Sequence, residues 1–136
     1  MNLTRPISLF AICLLAASCS KKSEKSPQLI EANRLHLEAI EISKQLETRL
    51  DSLSPKAAGD VEKSRIDSLR SLIETWEENV IEVPGFPHAH DHAHGAHSHK
   101  SAPPMTDESM LDYQRQSREA IIELKEAIVK IDSLQK

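Results

Sequence analysis

Histidine is concentrated in one short stretch of this chain. Six of the seven histidines lie between residues 88 and 99, where they alternate with mostly small residues. Imidazole is the commonest protein ligand for zinc, copper and nickel, and in an extended segment residues two apart point the same way. We therefore predict a metal-binding segment that takes a zinc, copper or nickel ion. Its ligands are His88, His90, His92, His94, His97 and His99, with Asp91 as an additional carboxylate.

Two functions are compatible with this stretch. Histidine-rich tracts also occur as solvated low-complexity linkers, which bind metal only because they carry imidazoles. In that case the stretch is a spacer, and the function lies in helix faces that dock another protein. An enzyme is not expected, because a flexible segment fixes no open coordination position on a metal. The sequence also has no nucleophile elbow, phosphate-binding loop or His-Glu-x-x-His motif.

The first nineteen residues predict where the protein is found. Arg5 precedes an almost wholly apolar run from Ile7 to Ala17, and small residues then lead to Cys19. This is the layout of a secretory signal, and the run is shorter than the roughly 20 residues that cross a bilayer. The sequence Leu15-Ala16-Ala17-Ser18-Cys19 resembles the lipobox of bacterial lipoproteins, which implies removal of residues 1–18 and acylation of Cys19. The alternative is an ordinary cleaved signal that happens to contain a cysteine.

Composition argues against several function classes. The cysteine that remains after cleavage carries lipid, so no disulfide is expected. The formal charge of −4 is mild. Nucleic acid is not an expected partner, because the mixed charges leave no basic stripe to neutralise phosphates. Residues 19–26 are polar and lack periodicity, which predicts a flexible tether.

Residues 27–135 are predicted to form one helical domain. Apolar residues recur every three or four positions over residues 27–53, which indicates an amphipathic helix. Similar stripes predict a second helix over 60–82, with Asp60 as its N-cap, and a third over 106–134, with Thr106 as its N-cap. Met105 and Met110 have the spacing of a hydrophobic staple. Residues 83–105 form the loop that contains the clustered histidines.

Three helices that each carry one apolar stripe must bury those stripes against one another. The predicted fold class is therefore all-α: a three-helix antiparallel bundle, or a long helical hairpin plus a third helix, with a disordered histidine-rich loop. The short first connection predicts that helices one and two form an antiparallel hairpin. A coiled-coil dimer of hairpins is the alternative, because near-heptad spacing suits both.

A few residues outside the loop are also candidates. His36 lies beside the first stripe and is predicted to be a surface residue, whereas Trp76 lies on the second stripe and is predicted to pack in the core. Acidic residues occupy the helix ends that flank the loop: Glu77, Glu78 and Glu82 before it, and Asp107, Glu108 and Asp112 after it. A cation would relieve the conflict between the first group and the helix dipole. These residues and His36 are the next candidates for a metal site, and an ordinary solvated acidic face is the alternative.

Taken together, the signal, the helices and the loop resemble a group of small histidine-rich lipoproteins of the Bacteroidota. The resemblance is carried by the start Leu-Ala-Ala-Ser-Cys19-Ser-Lys-Lys, by the segment 76–85 followed by histidines, and by residues 110–114. It implies a helical protein of the cell envelope, held on the membrane by lipid on Cys19, with no assigned catalytic residues. Ser20-Lys21-Lys22 stands where surface-exposed relatives have an acidic stretch, which favours a location facing the periplasm, and the outer membrane is the expected membrane. An envelope protein partner and an oligomer are both compatible with this resemblance.

Overall fold

The computed structural model describes residues 24–86 and 100–134, and within them the chain forms three α-helices. These are α1 (Pro27–Leu53), α2 (Asp60–Asn79) and α3 (Asp107–Leu134), with a 3₁₀ turn, Ser54–Lys56, directly after α1. The all-α helical bundle predicted from the apolar stripes is confirmed.

Capping residues define where α1 and α3 begin. The Ser26 hydroxyl accepts a hydrogen bond from the Leu29 N–H at 3.2 Å, and Pro27 takes the first helical position, where its missing N–H costs nothing. The predicted N-cap of α3 is present, since the Thr106 hydroxyl accepts from the Ser109 N–H at 3.1 Å. Ser26, which the sequence places in the tether, therefore belongs to the folded domain.

Helix α2 begins differently from the prediction. The sequence suggests Asp60 as the N-cap, but Gly59 holds that position at φ 110° and Asp60 is the first helical residue. Glycine suits this turn because a Cβ would strain the backbone at that φ. The Glu62 carboxylate accepts a hydrogen bond from the Ala58 N–H at 2.7 Å, so an acidic side chain in the first turn still supports the helix start.

Helices α1 and α3 run parallel and form the larger helix–helix interface. Two ion pairs show the direction, because the residue numbers of the paired side chains increase along both helices: Glu38–Arg118 and Arg49–Asp132. Helices α1 and α2 are antiparallel, because the partner's residue number in α2 falls as the number in α1 increases: Ser43–Glu77 and Asp51–Arg70. The predicted antiparallel hairpin of α1 and α2 is thus present, but α3 contributes more of the packing against α1.

Two apolar clusters form the core, because α2 is shorter than α1 and α3. The three-helix cluster lies where α2 packs on the other two helices, and its buried members are Ala39, Leu46, Leu50, Leu53, Ile66, Leu69, Ile73, Ile121 and Ile128. Trp76 packs against it, as predicted. The pole cluster lies where α1 and α3 begin, an end that we call the N-terminal pole. Its buried members are Ala32, Leu35, Val83, Met110 and Leu111, with Met105 packed against them as the predicted staple requires.

Helix α2 ends at Asn79, three residues earlier than the apolar stripe suggests. Val80 is extended, with ψ 134°, and Pro84 disfavours a helical conformation at Val83. Ile81 and Val83 pack in the pole cluster from this extended segment. Apolar residues that could continue the stripe of α2 therefore serve a second cluster in a different backbone conformation.

Acid pH is expected to weaken the α1–α3 contact through Glu38. Arg118 binds one oxygen of this carboxylate at 2.6 Å and Arg34 binds the other at 3.1 Å. The hydrogen bond from Arg118, followed by its charge and then by Arg34, holds the pKa of Glu38 below its ordinary value of 4.5. A carboxyl whose pKa is lowered by folding stabilises the protein above the ordinary value, and this stabilisation is lost as pH falls through the folded-state value.

We therefore expect Glu38→Gln to flatten the fall in melting temperature on acidification below about pH 4.5. At neutral pH the change should be small, about 1 kcal/mol or less, because the pair is partly exposed. Thermal melts followed by circular dichroism test this, with Glu41→Gln on the exposed face of the same helix as control. Identical pH profiles for the parent and Glu38→Gln would contradict the prediction.

Candidate metal-binding segment and its supports

The predicted metal ligands and the predicted lipidation site lie outside the described residues. They are Cys19, His88, His90, Asp91, His92, His94, His97 and His99. We call residues 87–99 the histidine segment, and the structure describes the chain on both sides of it. These flanks define where the histidine segment leaves the bundle and where it returns.

The two flanks meet in an isolated parallel bridge between Ile81 and Lys100. The Glu82 N–H donates to the Lys100 carbonyl at 3.4 Å, and the Lys100 ammonium donates to the Asn79 side-chain oxygen at 2.7 Å. The flank that follows α2 and the flank that precedes α3 therefore meet at one place on the bundle. The folded domain therefore holds the two flanks of the histidine segment next to each other.

A tight turn leads into the histidine segment. The Phe86 N–H donates to the Val83 carbonyl at 3.4 Å, and Gly85 adopts φ 79° after Pro84. This is the Pro-Gly pattern of a type II turn, in which the third residue needs a positive φ. The Lys25 ammonium lies 3.5 Å from the centroid of the Phe86 ring, a cation–π distance. Phe86, the last described residue before the histidine segment, thus lies beside the residues that lead into α1.

Side chains of α3 hold the end of α2 and the bridge in place. The Tyr113 hydroxyl donates to the Asn79 carbonyl at 2.9 Å, and the Gln114 amide donates to the Ile81 carbonyl at 2.7 Å. The first bond satisfies a carbonyl that the end of α2 leaves without a helical partner, and the second fixes the extended segment that follows. Burial raises the pKa of the Tyr113 phenol above 10.0, although its hydrogen bond with the Ile81 backbone opposes the shift. The hydroxyl is therefore protonated, and able to donate, at neutral pH.

A second set of polar groups is buried on the α2-facing side of α1. Ser43 is fully buried and donates a hydrogen bond to the Glu77 carboxylate, which is itself 9% exposed. His36 lies two helical turns before Ser43 and is 3% exposed. The prediction that His36 is a surface residue is wrong, because this side of α1 turns toward α2 and the extended segment that follows it. Glu77, counted above among the acidic helix-end residues, is likewise an interior residue.

The fallback metal candidates do not assemble into a site. Among residues 24–86 and 100–134, no group of three or more His, Cys, Asp or Glu side chains could hold a metal ion. His36 and the acidic helix ends therefore form no such cluster within this part of the chain. The histidines of residues 88–99, which lie outside the described residues, stay the predicted metal ligands.

Sequence reasoning missed the side chains that support the segment. Tyr113 belongs to the third apolar stripe, where packing is its expected role, and the pattern gives Gln114 no role, although Gln114 is fully buried and needs polar partners. The Trp76 indole donates to the Ser117 carbonyl at 2.9 Å, and because any residue at position 117 carries that carbonyl, the sequence holds no signal for this bond. None of α1, α2 and α3 has a stretch long and apolar enough to span a membrane. No family model, curated protein or solved structure matches this chain.

Proposed function

We propose that this chain is a lipid-anchored protein of the bacterial cell envelope that binds zinc, copper or nickel through the histidines of residues 88–99. It buffers such an ion or passes it on in the periplasm. The observation that carries the proposal is the density of histidine, six residues within twelve positions, between two flanks that meet at the Ile81–Lys100 bridge. The membrane is its partner through lipid on Cys19.

The pairing of the two flanks supports metal binding, because a free peptide of residues 87–99 lacks that pairing. Bringing several histidines around one ion costs chain entropy. Folding has already brought the two ends of this segment together at the bridge, so part of the closure cost is met before metal arrives. We expect the protein to bind metal more tightly than a peptide of residues 87–99 alone.

The position of the anchor supports a role close to the membrane. Cys19 precedes Lys25 by six residues, which span at most about 20 Å. Lys25 contacts Phe86, and His88 follows two residues later. Lipid on Cys19 would therefore hold the beginning of the histidine segment near the bilayer surface.

Replacing His88, His90, His92 and His94 together with Ala is expected to remove most zinc binding. The reason is that these alternating imidazoles can converge on one ion, which needs about four ligands. Calorimetric titration of residues 20–136 with zinc should give micromolar or weaker affinity for the parent, because ordering the segment opposes binding. His90→Ala alone should change little, since other histidines replace it. Helix content by circular dichroism should be the same in all variants, because the replaced residues lie outside the helices.

Acid should have the same effect as the fourfold replacement. Only neutral imidazole binds metal, and free histidine titrates near about pH 6.5. Zinc affinity should therefore fall steeply between about pH 7 and pH 5. Binding that survives both the fourfold replacement and acid would place the metal elsewhere and contradict the proposal.

A second function, docking of an envelope protein with the histidine segment as a spacer, is favoured by one surface. A groove between α1 and α3 is lined by the apolar Ile42, Ile122 and Val129 with charged residues at its sides. Val129 is 58% exposed. Deleting residues 88–99 in the cell separates the two functions. Unchanged metal tolerance and envelope metal content after deletion would favour the spacer.

A further inference from the structure

The N-terminal pole presents apolar side chains to its surroundings. Ile30, in the first turn of α1, is 55% exposed. Prolines from both flanks of the histidine segment are exposed at the same end: Pro84, Pro103 and Pro104. Partly buried side chains extend this surface outward from the pole cluster: Leu29, Phe86 and Met105. Several of them border an open cleft at this end of the bundle.

The chain that precedes the described residues identifies what meets this surface. Lys25 is at most about 20 Å of extended chain from Cys19. Helix α1 has 27 residues and is about 40 Å long, so the opposite end of the bundle, at the turn before Asp60, lies that much farther along. A lipid on Cys19 keeps the N-terminal pole, and not the opposite end, within easy reach of the bilayer.

The charged residues near the pole are mostly acidic. Lys25 is exposed next to Glu24. The acidic Asp107 and Glu108 lie in the first turn of α3, where the helix dipole favours them. Attraction to anionic lipid therefore contributes little, and apolar contact with the interface is the stronger term.

We propose that the N-terminal pole rests on the surface of a phospholipid bilayer, with Ile30, Phe86 and Pro104 in contact with the headgroup region. This inference rests on the proposed function through the lipid on Cys19. It deepens that function, because Phe86 and Lys100 flank the histidine segment and a pole seated on lipid makes the segment begin at the membrane surface.

The test uses the full chain, processed and lipidated in a bacterial host and reconstituted in vesicles of phosphatidylcholine with anionic phosphatidylglycerol. Mass spectrometry first establishes whether Cys19 is acylated. Pro104→Cys at the pole and Lys56→Cys at the opposite end then each supply one thiol for an environment-sensitive fluorophore. We expect a blue-shifted emission at position 104, quenched by lipids that carry a headgroup-level quencher, and water-like emission at position 56. Ile30→Gln should reduce the shift at 104, and high salt should not.

Each other outcome overturns the inference. Water-like emission at 104 in a chain that is acylated on Cys19 removes the membrane contact but leaves the anchor and the metal proposal intact. A shift at 104 that lipid quenchers do not reach, and that grows with protein density, assigns the pole to a second copy of the chain. A shift abolished by salt assigns it to charge attraction. A chain without acyl groups on Cys19 overturns both the anchor and the membrane contact.

Discussion

Replacing Leu46 with Asp is expected to unfold the helical domain. Leu46 is 5% exposed and belongs to the three-helix cluster, where α1 meets the other helices. Losing the leucine side chain from such a site costs about 2–5 kcal/mol, and a buried carboxylate without a partner costs several kcal/mol more. Small domains are stable by only about 5–15 kcal/mol. The substitution should therefore remove most or all of the folded population.

The matched control is Leu37→Asp, which makes the same chemical change on the same helix at a side that is 41% exposed. Circular dichroism at room temperature and urea titration measure both variants. The parent and Leu37→Asp should unfold cooperatively, whereas Leu46→Asp should show little helix and no transition. A cooperative transition of parental midpoint for Leu46→Asp would mean that this face of α1 does not pack as described.

Gln114→Ala is expected to destabilise the domain by about 2–4 kcal/mol and to loosen the base of the histidine segment. Gln114 is fully buried, and its amide donates to the Ile81 carbonyl at 2.7 Å. Truncation leaves a cavity and a buried carbonyl that loses its side-chain donor. Because Ile81 pairs with Lys100, the effect should reach both flanks.

Hydrogen exchange of the Glu82 amide, which donates to the Lys100 carbonyl, measures the bridge directly. Gln116→Ala, at an exposed position on the same helix, is the control and should leave both stability and exchange unchanged. Gln114→Leu fills the space without the hydrogen bond, so it separates packing from bonding. If Gln114→Leu protected the Glu82 amide as well as the parent does, packing alone would support the bridge.

The apolar stripes were sufficient to predict the three helices. Helix α1 has the predicted bounds, from Pro27 to Leu53, because its apolar stripe and its Pro at the first position agree, although the cap by Ser26 was not predicted. Each of these signals depends on residues that are close together in the sequence, so it can be recognised from the sequence alone. The staple of Met105 and Met110 was predictable for the same reason.

Features that depend on a partner from another helix were not predictable in this way. Ser43 and Glu77 read as solvated polar residues until α2 is placed against α1, where one binds the other. Helix α2 ends at Asn79, where the Tyr113 hydroxyl of α3 donates to the Asn79 carbonyl, and Ile81 and Val83 pack in the pole cluster from the extended segment that follows. A helical stripe does not contain that information. The metal ligands and the lipidation of Cys19 are predicted from composition and residue spacing, and they stay predictions because these residues lie outside the described part of the chain.

The Ile81–Lys100 bridge also bears on how such a protein can change over evolution. The bridge pairs the two flanks of residues 87–99, so a change in the length of that stretch should leave the pairing of the flanks possible. The entropy of closing a flexible stretch grows slowly, by only about 0.6 kcal/mol for each doubling of its length. Under the proposed function, the number of histidines in residues 87–99 can therefore change at little cost in folding stability, while selection for folding acts on the three helices and their contacts.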